Sequence, residues 1–437
     1  MARTIVIFLL VLIIFGNPVT TRADDADLQA LVASVNELKD MVKSLQRTVS
    51  QQQTEINDLQ NENRGLRKQA ASTGAPEAQA SEPPSAIAQV PAPPPATARR
   101  ASYLPDIGAI ADIVAFSTES KEDGEGNDKV SVRDFELVLG HDIDPYSRLD
   151  ATIVFSDTED PELEEAYASL WDLPFDTKAR VGRLKPRIGR VLPIHRDSLD
   201  TVDVPVVIQR YFGAEGLSKS GAELSWFTPL SLENFTQEFI LGGIEGGNGE
   251  EGQLFGASHR IPTLYGRLRH AFDLSDETNT EFGLSWLSGS TDNDSGREVN
   301  AIGVDLMATH FVTPRNKFKL QSEFYIVDRD PPQSNEEEEL NFLDKDHPWG
   351  YYVLADYRLG ERWGLGTRWD WVEPIATESE IVSDDEYALA GYLTFYQSEF
   401  ARWRLQYQYA RLIDDTNDNR VYFQGTFAIG THKHQLQ

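Results

Sequence analysis

From Pro105 nearly to the end of the chain, short runs alternate apolar and polar residues and are closed by turn residues. Phe135-Leu137-Leu139, Leu149-Ala151-Ile153-Phe155, Phe282-Leu284-Trp286 and Trp403-Leu405-Tyr407-Tyr409 are apolar sets of this kind, each separated by one residue. A period of two gives an extended strand one apolar and one polar face. A soluble sandwich shows the same alternation, so further features must decide. About sixteen such runs begin near Ile107, Ser131, Arg148, Glu164, Thr177, Gly221, Leu232, Leu264, Thr278, Val299, Lys317, Trp349, Trp363, Tyr387, Ala401 and Arg420, and an even count is what closes a bacterial barrel. The connections alternate short and long, as periplasmic turns and outer loops do. Trp226, Phe227, Trp349, Tyr351, Trp363, Trp369, Trp371 and Tyr396 gather at strand ends, where interfacial aromatic girdles belong. The expected fold is an all-β transmembrane barrel of about 16 antiparallel strands over residues 105–431, preceded by an N-terminal α-helical coiled coil.

The segment before the barrel reads as three parts. Arg3, the apolar run Ile5–Phe15 and the small residues before Asp24 describe a secretory signal peptide over 1–23. Residues 24–69 carry a heptad repeat: Leu28, Val35, Val42, Val49 and Ile56 stand at a, and Leu31, Leu38, Leu45, Leu59 and Leu66 at d. Such a stripe buries only against another helix, so it is an oligomerisation device placed in the periplasm; dimer and trimer remain open. Residues 70–104 are rich in Pro and Ala and form a spacer. Residues 432–437 form a C-terminal tail.

Composition removes several function classes. The 40 basic against 70 acidic residues leave a net charge of −30, which argues against a nucleic-acid partner. The absence of cysteine removes disulfide scaffolds and thiol chemistry. His195, Ser198 and Asp200 lie close in sequence, but proximity along the chain does not make a triad. Gly247, Gly249 and Gly252 match a dinucleotide fingerprint only as text, with Glu250 and Glu251 set to repel phosphate. His432 and His434 are too few for a metal site, so no enzyme activity, metal or cofactor is expected.

Pro105-Asp106-Ile107, Asp144-Pro145-Tyr146-Ser147-Arg148, Glu164-Glu165-Ala166-Tyr167, Val181-Gly182-Arg183, Phe212-Gly213-Ala214-Glu215-Gly216-Leu217, Ser398-Glu399-Phe400 and Arg404-Leu405-Gln406-Tyr407 are short motifs spread over the barrel region. In these the chain resembles the phosphate-selective porin O/P-type barrel proteins. The resemblance implies a porin fold and a homotrimer embedded in outer-membrane lipid. It does not extend to phosphate selectivity, because a full phosphate-binding set of arginines and lysines is not matched. The chain also departs from the family at its end, where Gln437 stands in place of a terminal aromatic residue.

The long connection 186–220 has the most sequence character. It carries Arg187, Arg190, His195, Arg196 and Arg210 together with Val204-Pro205-Val206-Val207-Ile208, a run suited to packing on an inner wall. With Arg180, Arg267 and Arg269 on neighbouring strands, these residues are the expected constriction of a passive porin for ions or small hydrophilic solutes. Their charge suggests mild anion preference below an acidic, cation-attracting rim. The competing readings are a barrel-anchored structural tether and an energised nutrient or metal receptor-type transporter.

Overall fold

The computed structural model describes residues 105–120, 127–157, 160–228, 234–247, 253–291, 293, 298–329, 347–375 and 385–430. The signal peptide, the heptad segment, the spacer, the C-terminal tail and the acidic run Glu336–Glu339 lie outside the described residues. Sixteen strands form one closed sheet. They are β1 Asp106–Thr118, β2 Lys129–Asp144, β3 Ser147–Phe155, β4 Glu162–Leu173, β5 Thr177–Leu184, β6 Lys219–Phe227, β7 Phe235–Gly246 and β8 His259–Ser275. Then follow β9 Thr278–Ser290, β10 Glu298–Thr313, β11 Asn316–Arg329, β12 Trp349–Leu359, β13 Trp363–Val372, β14 Glu386–Ser398, β15 Ala401–Arg411 and β16 Asn417–Gly430. Each strand pairs antiparallel with its sequence neighbours, and β1 closes on β16 with Ile110 opposite Ala428. Closure leaves no sheet edge, which is the condition for strands to lie in hydrocarbon.

Burial settles the question that alternation leaves open. In β15, Arg402, Arg404, Gln406 and Gln408 are buried, whereas Leu405 and Tyr407 are exposed. In β13, Arg368 and Asp370 are fully buried, while Trp363, Leu365 and Trp369 face out. A sandwich in water buries its apolar face; this barrel does the reverse, with an apolar exterior and a polar interior. The outer aromatic rings fall into two groups. Trp349 and Trp371, with centroids 4.2 Å apart, sit at the end with long connections. Trp363 with Phe395 at 4.8 Å and Trp403 with Phe423 at 5.6 Å sit toward the end with short turns.

Three boundaries differ from the sequence expectation. Leu184 pairs with Lys219 and Arg183 with Ser220, so the long connection runs from 185 to 218 and its last two expected residues belong to β6. β7 begins at Phe235 rather than near Leu232. β16 begins at Asn417 because Asn417 already pairs with Arg411, so the connection from β15 is short, as is that from β3 (ending at Phe155) to β4 (starting at Glu162) at the same end.

Candidate functional site

The connection 185–218 turns inward and packs on the inner face of the wall, which carries apolar as well as polar residues. Its apolar residues Ile188, Val191, Leu192, Leu199, Val206, Val207, Ile208, Tyr211 and Phe212 are buried in one cluster with wall residues such as Leu184, Ile240, Ile244, Tyr325, Tyr352 and Val372. Burying a side chain of this kind is worth about 1.5–3 kcal/mol, so the segment is held by packing as well as by charge. Gly189 shows how closely it docks. At φ +57 a side chain would be strained, and an added Cβ would lie 2.0 Å from Glu323 Oε2.

Two helical stretches form within the connection, a 3-10 turn at Arg196–Ser198 and the α-helix α1 (Val206–Phe212). Pro205 presets the first turn at φ −53, and Asp370 on β13 accepts the Val206 N–H at 3.1 Å, so a wall carboxylate supplies the cap the connection lacks. At the other end, the N–H groups of Gln253 and Leu254 donate to the carbonyls of Arg210 and Tyr211. The Val204–Ile208 run therefore packs on the inner wall as expected, but its last three residues, Val206, Val207 and Ile208, do so as the first turn of a helix.

The connection reaches nearly every part of the wall. Val191 N–H donates to Glu323 Oε1 on β11 at 2.9 Å, and four residues later His195 Nε2 lies 3.0 Å from Glu165 Oε2 on β4. These strands are seven apart in a ring of sixteen, so the backbone passes between nearly opposite walls. Beyond it, Asp200 pairs with Lys319 on β11 at 2.5 Å, and Arg368 on β13 donates to Asp203 Oδ2 at 2.6 Å. Arg402 and Arg404 on β15 donate to the carbonyls of Asp197 and Leu199.

Every basic residue singled out from the sequence has an acidic partner. Arg180 and Arg187 share Glu223, at 3.1 and 2.6 Å, and Arg187 also meets Glu238 at 2.8 Å. Arg190 and Arg269 share Glu281, at 3.0 and 2.9 Å. Arg267 pairs with Asp305 at 2.7 Å, Arg196 with Glu215 at 3.0 Å and Arg210 with Glu386 at 2.6 Å. The sequence identifies the basic half of this network more readily than the acidic half. Glu223 and Asp305 lie on the inward phase of their strands and are legible from period two; Glu215 lies in the connection and gives no such signal.

His195 is buried among three glutamates. Nδ1 lies 2.8 Å from Glu164 Oε2 and 3.4 Å from Glu136 Oε2, while Nε2 faces Glu165. Burial alone would lower the imidazole pKa, but the charges of Glu164 and Glu136 outweigh it and raise the pKa well above the ordinary histidine value. Adjacent residues of a regular strand point to opposite faces. Here the pairing jumps from Thr152↔Glu165 to Ile153↔Leu163, so Glu164 is a bulged residue and both carboxylates reach the same imidazole. Ser198 donates to Asp197 and Asp200 pairs with Lys319, so His195, Ser198 and Asp200 are not assembled into a triad. The glycine pattern 247–252 lies mostly outside the described residues.

Comparison with known proteins places the fold. No family model matches the sequence. A relative from Aquifex aeolicus (strain VF5), described as an uncharacterized protein, is 27% identical over 379 residues, covering 76% of this chain and 79% of the relative. The structure of Salmonella typhi OmpF in complex with daunomycin is similar at TM-score 0.52 with 10% identity, covering 74% of this chain and 97% of that one. An anion-selective porin from Comamonas acidovorans gives TM-score 0.49 with 12% identity, covering 75% and 99%. The barrel region has the sixteen-strand porin fold.

Proposed function

We propose that the protein is a porin of the bacterial outer membrane, passing ions or small hydrophilic solutes passively through a lumen narrowed by residues 185–218. The observation that supports this most is the inside-out burial of a closed sixteen-strand sheet, since barrels of about 16–18 strands leave an aqueous passage. The transit of the connection between β11 and β4 supports its role as the constriction. Arg180, Arg187, Arg190, His195, Arg196, Arg210, Arg267 and Arg269 would line or brace that section.

The ion pairs modify the expected selectivity. Six guanidinium groups, of Arg180, Arg187, Arg190, Arg196, Arg267 and Arg269, meet five carboxylates, of Glu215, Glu223, Glu238, Glu281 and Asp305. The local field is nearly compensated, so the anion preference we propose is slight. An energised transporter would carry a plug folded from residues ahead of the barrel. Among the described residues, the wall's inner partners instead come chiefly from the connection between β5 and β6.

Further parts of this reading are that residues 1–23 direct export, that the heptad residues Leu28 to Leu66 associate in the periplasm, and that the assembly is a homotrimer. Liposome swelling tests the channel function. Proteoliposomes should swell in small sugars or amino acids at rates that fall with solute size; vesicles that swell no faster than protein-free ones would sink it.

A further inference from the structure

The geometry points to a binding site for one divalent first-row transition ion of the zinc class, formed by His195, Glu136 and Glu164. The ion would fasten the inner connection to β2 and β4, and the site stands whether or not that connection sets the conductance.

The ligand atoms are already gathered. Nδ1 of His195 is 2.8 Å from Glu164 Oε2 and 3.4 Å from Glu136 Oε2. An ion with bonds of about 2.0–2.1 Å needs its donors about 3–3.5 Å apart, so small side-chain adjustments seat it. The second nitrogen of the ring meets Glu165 Oε2 at 3.0 Å. A carboxylate behind a ligating imidazole is the arrangement that sets the tautomer, putting the proton on Nε2 and the lone pair of Nδ1 toward the ion. Glu164 is held by its other oxygen, which Lys185 Nζ contacts at 2.5 Å. The bulge at Glu164 has a purpose in this reading: without it, Glu164 and Glu165 would face opposite sides of β4.

An independent observation also indicates a cation. Beside two of the three ligands, Glu136 and Glu164, is a cavity of about 20 Å³, lined also by Asp134, Asp160, Glu162, Arg196 and Glu215. That is room for one water, which would complete a four-coordinate ion. Asp134 lines the same cavity, is 3% exposed, and its Oδ2 has no hydrogen-bond partner, the nearest cation being Arg133 Nε at 3.7 Å. A metal-bound water can donate to that oxygen. One imidazole nitrogen with two carboxylates suits zinc, cobalt or manganese; calcium and magnesium prefer oxygen alone.

The test uses the folded full-length chain in detergent, with His432→Ala and His434→Ala to remove the tail histidines. Equilibrium dialysis against zinc chloride should load one zinc per chain, and calcium chloride should not displace it. Glu136→Gln and His195→Ala should each abolish this zinc. Glu165→Gln, which leaves all three ligands in place, should weaken it about 10–100-fold. Cobalt chloride should give a visible absorption band in the parent that Glu136→Gln lacks. Heat-modifiable gel mobility reports which variants fold, and Glu136→Gln decides if His195→Ala does not. Zinc content equal in the parent and in folded Glu136→Gln, or no zinc in the parent at all, overturns the site.

Discussion

Replacing Arg368 with Ala should release the inner connection without opening the barrel. The side chain is fully buried and joins five groups: Asp370 Oδ2 at 2.7 Å, Asp203 Oδ2 at 2.6 Å, the Asp203 carbonyl at 2.8 Å, the Val204 carbonyl at 3.4 Å and the Thr201 hydroxyl. Asp370 would keep only the Val206 N–H among these contacts, and Asp203 would lose its charged partner. Breaking a buried pair by removing one member costs about 3–5 kcal/mol, because the remaining charge is left uncompensated. At about 1.4 kcal/mol per factor of ten, the displaced state of residues 200–206 should gain roughly 10²- to 4 × 10³-fold in population. The sheet itself should persist, since β13 is held to β12 and β14 by backbone ladders that do not involve the side chain. Single-channel recording should show larger mean conductance and added current noise, with heat-modifiable mobility retained. Asp203→Ala in the Arg368→Ala background should cost less than the two single changes summed, by about 0.5–3 kcal/mol. Wild-type conductance, noise and denaturation midpoint in Arg368→Ala would refute the claim that this cluster pins the connection.

Four further outcomes are expected. Arg187→Ala, Arg190→Ala and Arg196→Ala together leave Glu223 with Arg180 and Glu238 and Glu281 with Arg269, and take Arg196 from Glu215. The three lost charges should move the zero-current potential toward cations by about 1 kcal/mol, roughly fivefold in permeability ratio, with larger conductance; an unchanged potential and conductance would remove the connection as the selective element. Leu241 is 65% exposed in the middle of β7, so Leu241→Arg should cost about 2–4 kcal/mol of stability in vesicles, and a neutral result would place it away from lipid. Cysteine at exposed Asn293, in a connection on the long-loop side, should label in intact cells with an impermeant reagent, whereas cysteine at Arg315 should not; the reverse pattern inverts the proposed orientation. Removing residues 24–69 should leave heat-modifiable barrel while weakening association, and loss of the folded barrel would contradict their separation as domains.

The barrel was legible because each strand writes its two environments alternately into the sequence. Leu405 and Tyr407 against Arg404 and Gln406 state which side faces out of the barrel once an even number of such runs is found. The inward basic residues could be found in the same way. Their partners were harder, because Arg190 meets Glu281 across 91 residues and Arg368 meets Asp203 across 165. No local periodicity encodes such pairing. The helix α1 was missed because its N-terminus is capped by Asp370 from another strand, while its own β-branched residues favour extension. The glutamates around His195 were hidden by the bulge at Glu164, which breaks the period-two rule at the one place where both neighbours turn inward.

The most direct test of the central claim is the current through single wild-type molecules in a planar bilayer under a salt gradient. A water-filled passage with nearly compensated charge predicts stepwise insertions, an ohmic open current and a zero-current potential displaced only slightly toward anions. Folded, heat-modifiable protein that inserts yet carries no current above the bare bilayer would contradict a passive channel.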